Sequence, residues 1–428
     1  MKKVLIITYY WPPSGGSGVQ RWLKFSKYLP EYGYEPIVLT PENPSFINKD
    51  PGLMDEVPKD IEVLKLPIWE PYQVLARLSR KEIHQKNVNV GRKQSFFQKI
   101  SLWIRGNMFI PDPRMFWVRP VVKFLKGFLP GSGIDCIITT GPPHSMHLIG
   151  LKLKEKTGIK WIADFRDPWS EWDVMDSFFM TPWARKKHQK LELKTLQKAD
   201  HVISVGWEMD KDLKRLGARR SSVITNGFDL DDFQNQSGHT PIKSGIIKIR
   251  HIGTVDELRN PRPLLKALSD LIAEGKIKKG EVEAEFIGNV NPVLKSDVEN
   301  NIEWSEFVIF TDYMSHKEII RMYGETDILL LVLAHSHSAR LNVTGKIFEY
   351  VASGIPVLGI GDPEGDAARV LTQAGAGKVI AHGNEEELKL LIIDYIENRG
   401  KRNPIKLDES PFTRKNLTKN LAKIIDEL

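Results

Sequence analysis

Residues 344–360 contain a helical pattern that runs directly into a buried strand, and this combination restricts the chain to few folds. The stretch reads TGKIFEYVASGIPVLGI. Apolar side chains recur at helical spacing as far as Gly354, which suits the left-handed residue that ends a helix. The apolar run that follows is typical of a short strand covered on both faces. The stretch therefore predicts part of a parallel sheet flanked by helices.

The predicted helix has a polar face that suits either solvent or a ligand. Lys346, Glu349 and Tyr350 share the side opposite the apolar one on a helical wheel. Thr344 is the expected N-cap, and the first amides, at Gly345 and Lys346, are free donors at the positive end of the helix dipole. Such an end can bind a phosphate, although an ordinary solvated face has the same pattern.

The same alternation of strand and helix patterns continues along the chain and predicts two doubly wound α/β domains separated by a ligand-binding cleft. Residues 42–130 are less regular. Apolar runs that predict strands lie at residues 3–8, 36–40, 134–139, 160–163, 201–205, 223–225, 246–251, 282–288, 308–311, 328–333 and 355–360. The predicted domains are residues 1–230 and 246–411, with a polar linker at 231–245 and a terminal helix at 412–428 that returns to the first domain.

Composition excludes several classes of protein. The chain has 428 residues, 41% hydrophobic and 27% charged, as expected for a globular protein of two or three domains. Its single cysteine, Cys136, excludes a disulfide framework and a cysteine metal site, and suits the cytoplasm. No apolar run approaches the length of a transmembrane helix, and residues 3–8 fit a first strand better than a signal peptide.

The net charge of +7 predicts an anionic partner. No zinc-finger, RNP or helix–turn–helix pattern supports nucleic acid, which leaves anionic membrane or phosphorylated ligands. Residues 92–129 alternate Lys and Arg with Phe, Trp, Leu and Ile. This pattern indicates either peripheral attachment at the inner membrane face or two amphipathic helices packed on the sheet.

Polar segments follow three of the predicted strands in the first domain. They are YYWPPSGGSG at 9–18, TGPPHS at 140–145 and DFRDPW at 164–169. The glycine-rich segment fits an anionic ligand or a plain tight loop equally well. Because the carboxyl ends of parallel strands lie at one sheet edge, we expect a ligand site there.

Six motifs, taken together in order and spacing, resemble retaining glycosyltransferases of the GT-B fold, in the large family four. They are WPPSGGSGVQR, TGPPHSMHLIG, ADFRDPW, NGFD, GTVDELRNPRPLLKAL and TGKIFEYVASGIPVL. The resemblance covers nearly the whole chain and implies two Rossmann-like domains facing a cleft. It implies sugar transfer, without metal or other cofactor, from a nucleotide-diphosphate sugar bound by the C-terminal domain to a saccharide acceptor bound by the N-terminal domain.

Carried over by position, the resemblance assigns the donor contacts to the second domain. Glu349 matches the glutamate that ends the family's E-x7-E motif and binds the ribose hydroxyls. Lys346 and the amides at Thr344 and Gly345 would meet the diphosphate. Arg259 lies near the family's basic pair, which neutralises the leaving group.

Further matches concern the nucleotide base and the first domain. Tyr313 and Met314 occupy the stretch whose backbone reads the base. Gly15 and Gly16 match the N-terminal loop that approaches the donor phosphate and the acceptor.

The chain departs from the family pattern at two donor positions. Leu341 replaces the first glutamate of E-x7-E, which binds the donor sugar, so that role is unfilled or moves to a neighbour. The neighbours that could take it are His337, Ser338 and Asn342.

The basic pair differs as well. The arginine position that follows Gly253 reads Thr254, and the lysine position reads Asn260. We therefore expect Arg262 to join Arg259 and Lys346 in the phosphate clamp.

For the acceptor, the family's histidine is replaced by residues 164–167. We expect Asp164, Asp167 and His144 to orient the acceptor hydroxyl while the leaving phosphate accepts its proton. His144 also fits a structural histidine. Lys346 and Arg259 would stabilise the charge that develops on the diphosphate.

Two other functions fit the same residues. A nucleotide-sugar epimerase of the same fold would cleave the donor without an acceptor. A non-catalytic binding or scaffold protein would retain the fold with a degenerate site, for which Leu341 is the best support. The basic aromatic segment favours a transferase with a lipid-linked saccharide acceptor for a surface polysaccharide.

Overall fold

The computed structural model describes residues 1–46, 49–71, 96–233, 245–314, 316–335, 340–341, 343–399 and 407–428. These form two compact units. The first comprises Met1–Asn226 with Arg414–Leu428, and the second comprises Gly227–Thr413. Most of the predicted linker lies outside the described residues.

The described strands of the first unit form a seven-stranded parallel sheet in the order β3-β2-β1-β4-β5-β6-β7. Its strands are β1 (Lys2–Ile7), β2 (Tyr34–Pro41), β3 (Glu62–Leu66), β4 (Ile134–Gly141), β5 (Lys160–Phe165), β6 (His201–Ser204) and β7 (Ser221–Val223). Its helices are α1 (Ser17–Tyr28), α2 (Phe96–Met108), α3 (Met115–Phe128), α4 (Ser145–Thr157), α5 (Pro182–Lys198), α6 (Trp207–Arg215) and the terminal α14 (Arg414–Asp426).

The terminal helix α14 packs within the first unit, beside α1. Its apolar residues, including Leu417 and Leu421, join the core formed by β1, β4 and α1. The Tyr32 hydroxyl donates to the Lys415 carbonyl oxygen at 3.1 Å. The sequence therefore predicted the helix and its apolar face, and the structure shows which core this face packs against.

The described strands of the second unit form a six-stranded parallel sheet in the order β10-β9-β8-β11-β12-β13. Its strands are β8 (Ile247–Ile252), β9 (Val282–Ile287), β10 (Val308–Thr311), β11 (Ile328–Val332), β12 (Val357–Gly361) and β13 (Gly377–Ala381). Its helices are α7 (Arg262–Ala273), α8 (Pro292–Asn300), α9 (Ile302–Ser305), α10 (His316–Tyr323), α11 (Gly345–Ser353), α12 (Asp366–Ala374) and α13 (Glu385–Glu397).

The strand order reverses direction between β1 and β4 in one sheet and between β8 and β11 in the other. At such a switch point the helices that follow the two strands lie on opposite faces of the sheet and leave a crevice at the carboxyl ends. Each unit therefore has one position where an open α/β sheet accommodates a ligand.

The basic aromatic segment forms two helices in the structure. α3 buries Trp117, Val121 and Leu125 and packs on α4, as predicted for an amphipathic helix on the sheet. α2 instead leaves Ile100 and Trp103 about 40% exposed. Within the described ranges, no helix is long and apolar enough to cross a membrane.

Candidate functional site

The second unit places Lys346 directly against Gly253 at its switch point. Gly253 follows β8 with φ +129°, and its amide donates to the Ile287 carbonyl oxygen at 2.7 Å. The Lys346 side-chain nitrogen lies 1.6 Å from the point where a Cβ on residue 253 would stand. Thr254, the next residue, is exposed. Glycine at 253 is thus required for the amine to reach this position.

The charge on Lys346 is only partly neutralised by its surroundings. Burial lowers its pKa and Arg259 lowers it further, while Glu349 opposes them in part. Arg259 itself pairs with Asp256, with 2.6 Å between Nη1 and Oδ2. A diphosphate beside the amine would raise the pKa of Lys346 again, since an opposite charge favours the protonated form.

Helix α11 begins next to this amine, because Lys346 is its second residue. Thr344 is the N-cap, as predicted, with φ −68° and ψ 148°, but its side chain does not cap the helix. The first turn contains no carboxylate. The Thr344 hydroxyl is buried and has no hydrogen-bond partner in the described part of the chain. Uncapped amides beside a lysine form a suitable environment for an anion.

The phenol expected on the polar face of α11 belongs to the core instead. Tyr350 is 1% exposed, and its hydroxyl accepts a hydrogen bond from the Ile252 amide at 3.0 Å. It therefore fixes α11 to the end of β8. Lys346 and Glu349 remain partly exposed on that face.

The other residues predicted to contact the donor already have a partner, are exposed or partly buried, or lie outside the described residues. Arg262 bonds to Asp297 and Asn260 beside a small cavity of about 50 Å³, so its guanidinium already has a carboxylate partner. Tyr313 is 87% exposed just after β10, with Met314 partly buried beside it. Three predicted sugar contacts lie outside the described residues: His337, Ser338 and Asn342.

His251, two residues before Gly253, is a site neighbour that the sequence did not reveal. It lies within β8 with its Nδ1 3.0 Å from the Leu330 carbonyl oxygen. Burial and the nearby Lys346 lower the pKa of His251 to about 4. The imidazole is therefore neutral at physiological pH and does not compete with Lys346 for an anion.

Asp164, predicted to orient an acceptor hydroxyl, is closed off from solvent. Its carboxylate is fully buried and accepts hydrogen bonds from Arg21 at 2.8 Å, Trp22 at 2.9 Å and Thr140 at 2.8 Å. Arg21 is equally buried. These groups join α1 to β4 and β5 and already occupy the carboxylate, so the structure favours a structural role for Asp164 over the predicted contact with an acceptor hydroxyl.

His144 is held by ring stacking rather than exposed to a substrate. Its ring lies parallel to that of Trp169, with centroids 4.8 Å apart, and the residue is 7% exposed. Burial and the neighbouring His147 keep the pKa of His144 well below its usual range. These contacts favour the structural interpretation of this histidine.

Asp167 retains the properties expected of an acceptor contact. The residue is partly exposed, and burial of its carboxyl raises the pKa to about 6 despite the nearby Arg166. Gly15 and Gly16 lie just before α1, and Gly16 has φ +106° with open space around its α-carbon. These residues lie near the carboxyl ends of β5 and β1 in the first unit.

Arg166 was not singled out by the sequence, yet it lies beside the glycine-rich loop. Its Nη1 is 1.7 Å from where a Cβ on Gly18 would stand, and its Nη2 donates to the Pro142 carbonyl oxygen. Gly18 and Arg166 are far apart in the chain, so no spacing pattern could indicate this contact. In the described part of the chain, no group of three His, Cys, Asp or Glu residues is placed to hold a metal ion.

Solved structures of known proteins share this fold over the whole chain. The galactosyltransferase WaaB of the lipopolysaccharide outer core is 14% identical with a TM-score of 0.57, and the match covers all of both chains. Sucrose-phosphate synthase from Thermosynechococcus elongatus is 13% identical with a TM-score of 0.53, covering 100% of this chain and 95% of that one.

A third neighbour has a different assigned activity. A protein from Listeria monocytogenes assigned as a UDP-N-acetylglucosamine 2-epimerase is 13% identical with a TM-score of 0.54, covering 100% of this chain and 96% of its own. No family model and no curated protein matches the sequence. The two parallel α/β units and these neighbours establish the GT-B fold.

Proposed function

We propose that this protein is a retaining glycosyltransferase that moves a sugar from a nucleotide-diphosphate sugar to a saccharide acceptor. The observation that carries the proposal is the position of the Lys346 amine against Gly253, at the uncapped N-terminus of α11. The GT-B neighbours include a galactosyltransferase and a sucrose-phosphate synthase, which support sugar transfer on this fold.

In this proposal the second unit binds the donor. The Lys346 cation and the first amides of α11 stabilise the negative charge that develops on the diphosphate as the sugar–phosphate bond breaks. Arg259 adds a second cation nearby, and Asp256 fixes its guanidinium. Glu349, one turn along α11, accepts hydrogen bonds from the ribose hydroxyls. Leu341 contributes no such contact to the donor sugar.

The first unit binds the acceptor in this proposal. Asp167 accepts a hydrogen bond from the attacking hydroxyl and orients it, and the departing phosphate takes its proton. No protein nucleophile is then required, and no metal is required to neutralise the diphosphate. Asp164 and His144 support this region through their buried contacts.

Calorimetry with UDP and GDP, followed by hydrolysis assays on a panel of UDP-, GDP- and TDP-sugars, tests the donor half of the proposal. We expect one nucleotide to bind and its sugar to be released slowly in the absence of acceptor. Glu349→Gln should weaken nucleotide binding by about tenfold or more. Glu364→Gln, on a side chain that is 81% exposed, is the matched control. Wild-type protein that binds no nucleotide would favour the scaffold function.

A nucleotide-sugar epimerase is the second candidate, and the Listeria monocytogenes neighbour on the same fold favours it. The two activities differ when donor is supplied alone. An epimerase converts the donor sugar into its stereoisomer, whereas the proposed transferase only hydrolyses the donor slowly. NMR of the anomeric and ring protons distinguishes these products directly.

We also propose that the acceptor is lipid-linked and that the first unit attaches to an anionic membrane surface. Residues 96–129 and 182–198 together contain twelve Lys and Arg but only two Asp and Glu. Their combined net charge therefore exceeds the net charge of +7 that the whole chain carries. Trp103 on α2 is 42% exposed and Trp183 at the start of α5 is 62% exposed. Tryptophan at headgroup depth beside cations is typical of peripheral membrane binding.

A further inference from the structure

Helix α5 has two polar side chains at the centre of its buried face. The residues that this face buries are Ala184, His188, Glu192, Thr195 and Leu196. They recur at helical spacing and form one stripe, which in most helices is apolar. His188 and Glu192 are each 2% exposed, so both side chains need polar partners inside the protein.

Both side chains form hydrogen bonds with the segment that follows β5. Nε1 of Trp169 donates to Nδ1 of His188 at 3.1 Å, and the Ser170 amide donates to a carboxyl oxygen of Glu192 at 3.2 Å. Trp169 and Ser170 are themselves buried. Because His188 and Glu192 lie one turn apart, the two bonds attach consecutive residues of the segment to one face of α5.

The attached segment carries Asp167. Residues 166–168 are partly exposed and lie between Phe165 and Trp169, which are both buried. Phe165 ends β5, and its ring stacks on that of His147 with centroids 4.3 Å apart. Asp167 thus lies in a short loop that the sheet holds at one end and α5 holds at the other. The orientation of its carboxyl group therefore depends on both attachments.

The polar groups on α5 are unfavourable for stability. Burial raises the pKa of Glu192 to about 7, and the cation that acts on it, Arg215, pairs with Glu171 and Asp212 instead. Burial lowers the pKa of His188 to about 4, so its ring is neutral at physiological pH. Apolar side chains of similar size would avoid the desolvation of both groups. Packing alone does not explain a His and a Glu here, whereas attachment of the segment does.

We propose that His188 and Glu192 are positioning residues, which act through Trp169 and Ser170 to hold Asp167 in the orientation that receives the acceptor hydroxyl. Both are buried, so neither touches the substrate. The inference rests on the proposed function for the role of Asp167, but the attachment of the segment to α5 does not depend on it.

Carboxyl ¹³C NMR of protein labelled at aspartate tests the attachment without any substrate. Asp167→Asn identifies the Asp167 signal by its loss. Burial raises the pKa of Asp167 to about 6, so release of the loop into solvent should lower it toward the ordinary 3.8. We expect His188→Leu and Glu192→Met, which each remove one hydrogen-bond acceptor, to lower this pKa to about 5 or below. A pKa of about 6 in both variants would overturn the proposal.

Conservative variants separate the hydrogen bonds from the packing of the same side chains. His188→Asn and Glu192→Gln retain an oxygen that can accept the same hydrogen bond, so the pKa of Asp167 should stay at about 6. Trp169→Phe retains an aromatic ring but removes the donor, and should act as His188→Leu does. Gln189→Leu, at an exposed position of α5, is the matched control and should have no effect. Equal effects of His188→Leu and His188→Asn would contradict the role of the hydrogen bond.

The reaction itself distinguishes positioning from a general loss of structure. Transfer to octyl glycosides, which combine a saccharide with an apolar tail, is compared with hydrolysis of the same UDP-, GDP- or TDP-sugar supplied alone. We expect His188→Leu to lower kcat/KM for transfer by about tenfold or more, because small misplacements at a reacting centre are costly. Nucleotide affinity and donor hydrolysis should stay at the wild-type level, and His188→Asn should restore transfer. A parallel loss of transfer and hydrolysis would contradict the proposal.

Failure of the proposed transferase gives a different result. Wild-type protein that binds no nucleotide and transfers to no glycoside would contradict the proposed function. The titration of Asp167 would still decide whether α5 holds its segment, because that measurement needs neither donor nor acceptor.

Discussion

The side-chain nitrogen of Lys346 lies 1.6 Å from the position that a Cβ on Gly253 would occupy. Strand β8 ends just before Gly253, and helix α11 begins just before Lys346. The contact therefore joins two elements on either side of the switch point, and it depends on the absence of a side chain at one residue.

Gly253→Ala should weaken donor binding and also lower the stability of the folded protein. The new methyl group would displace the Lys346 amine, and φ +129° is unfavourable for alanine, with a cost of about 1–3 kcal/mol in unfolding free energy. We expect at least about tenfold weaker nucleotide binding by calorimetry, as for loss of a charged hydrogen bond.

Gly354→Ala is the matched control for that substitution. Gly354 also has positive φ, at +70°, but nothing lies within 4 Å of its added Cβ. Chemical denaturation should detect destabilisation in both variants, whereas calorimetry should find weakened nucleotide binding in Gly253→Ala alone. Normal nucleotide affinity in Gly253→Ala would contradict the proposed role of the contact.

Asp167 should give the transfer reaction a pH dependence. Burial raises its pKa to about 6, so the carboxylate that would orient the acceptor is lost as the pH falls through about 6. We expect kcat/KM to rise with pH through this value in wild-type protein and to be low and flat in Asp167→Asn. Asp176→Asn, on an exposed carboxylate, should retain the wild-type profile. The same inflection near pH 6 in Asp167→Asn would exclude this carboxylate as its source.

Glu192 should make the first unit less stable as the pH rises. Burial raises its pKa to about 7, above the 4.5 of an exposed glutamate, so the folded state holds the proton more tightly than the unfolded state. Between these values the unfolding free energy decreases with increasing pH. Glu192→Gln lacks this titration, and its stability relative to wild type should increase by on the order of 3 kcal/mol from pH 4.5 to pH 7 and then level off.

Urea unfolding at pH 5 and pH 8 measures this difference. Glu155→Gln, on a surface carboxylate that pairs with Lys194, is the control and should show little dependence on pH. A constant difference between Glu192→Gln and wild type at the two pH values would show that the carboxyl titrates normally.

Membrane attachment should depend on exposed tryptophans of the first unit. α2 and the segment before α5 are joined by Asn107, whose amide donates to the Phe179 carbonyl oxygen at 3.3 Å. Replacing both Trp103 and Trp183 by Ser should reduce sedimentation with phosphatidylglycerol liposomes at low salt, because each ring loses apolar burial in the headgroup region. Ile302→Ser, on an 80% exposed residue of the second unit, should sediment as wild type. Absence of wild-type sedimentation at low salt would rule out this surface.

The sequence predicted the buried parallel strands well because their apolar runs allow few other structures. The run at 308–311 and the helix at 385–397 match the structure residue for residue. It did not predict β3, where EVLKL alternates charged and apolar residues at the sheet edge and only partial burial results. The helix α6 was also missed, since its nine residues are mostly charged.

Site residues were predictable where one motif contains them and not where distant segments meet. Lys346 and Glu349 follow from one helix pattern. The contacts of Lys346 with Gly253, and of Arg166 with Gly18, depend on sheet topology that local spacing does not encode. Asp164 was expected to orient the acceptor hydroxyl because polar residues gather at the end of its strand, whereas the buried Arg21 that pairs with it lies in the distant helix α1.

Nucleotide binding by Lys346→Met tests the central claim most directly. Calorimetry with UDP and GDP should show that the preferred nucleotide binds wild-type protein and binds Lys346→Met about tenfold or more weakly, with donor hydrolysis reduced in parallel. Lys378→Met, on an exposed lysine paired with Glu387, should bind as wild type. Wild-type affinity and hydrolysis in a folded Lys346→Met protein would contradict the assignment of this site to the donor diphosphate.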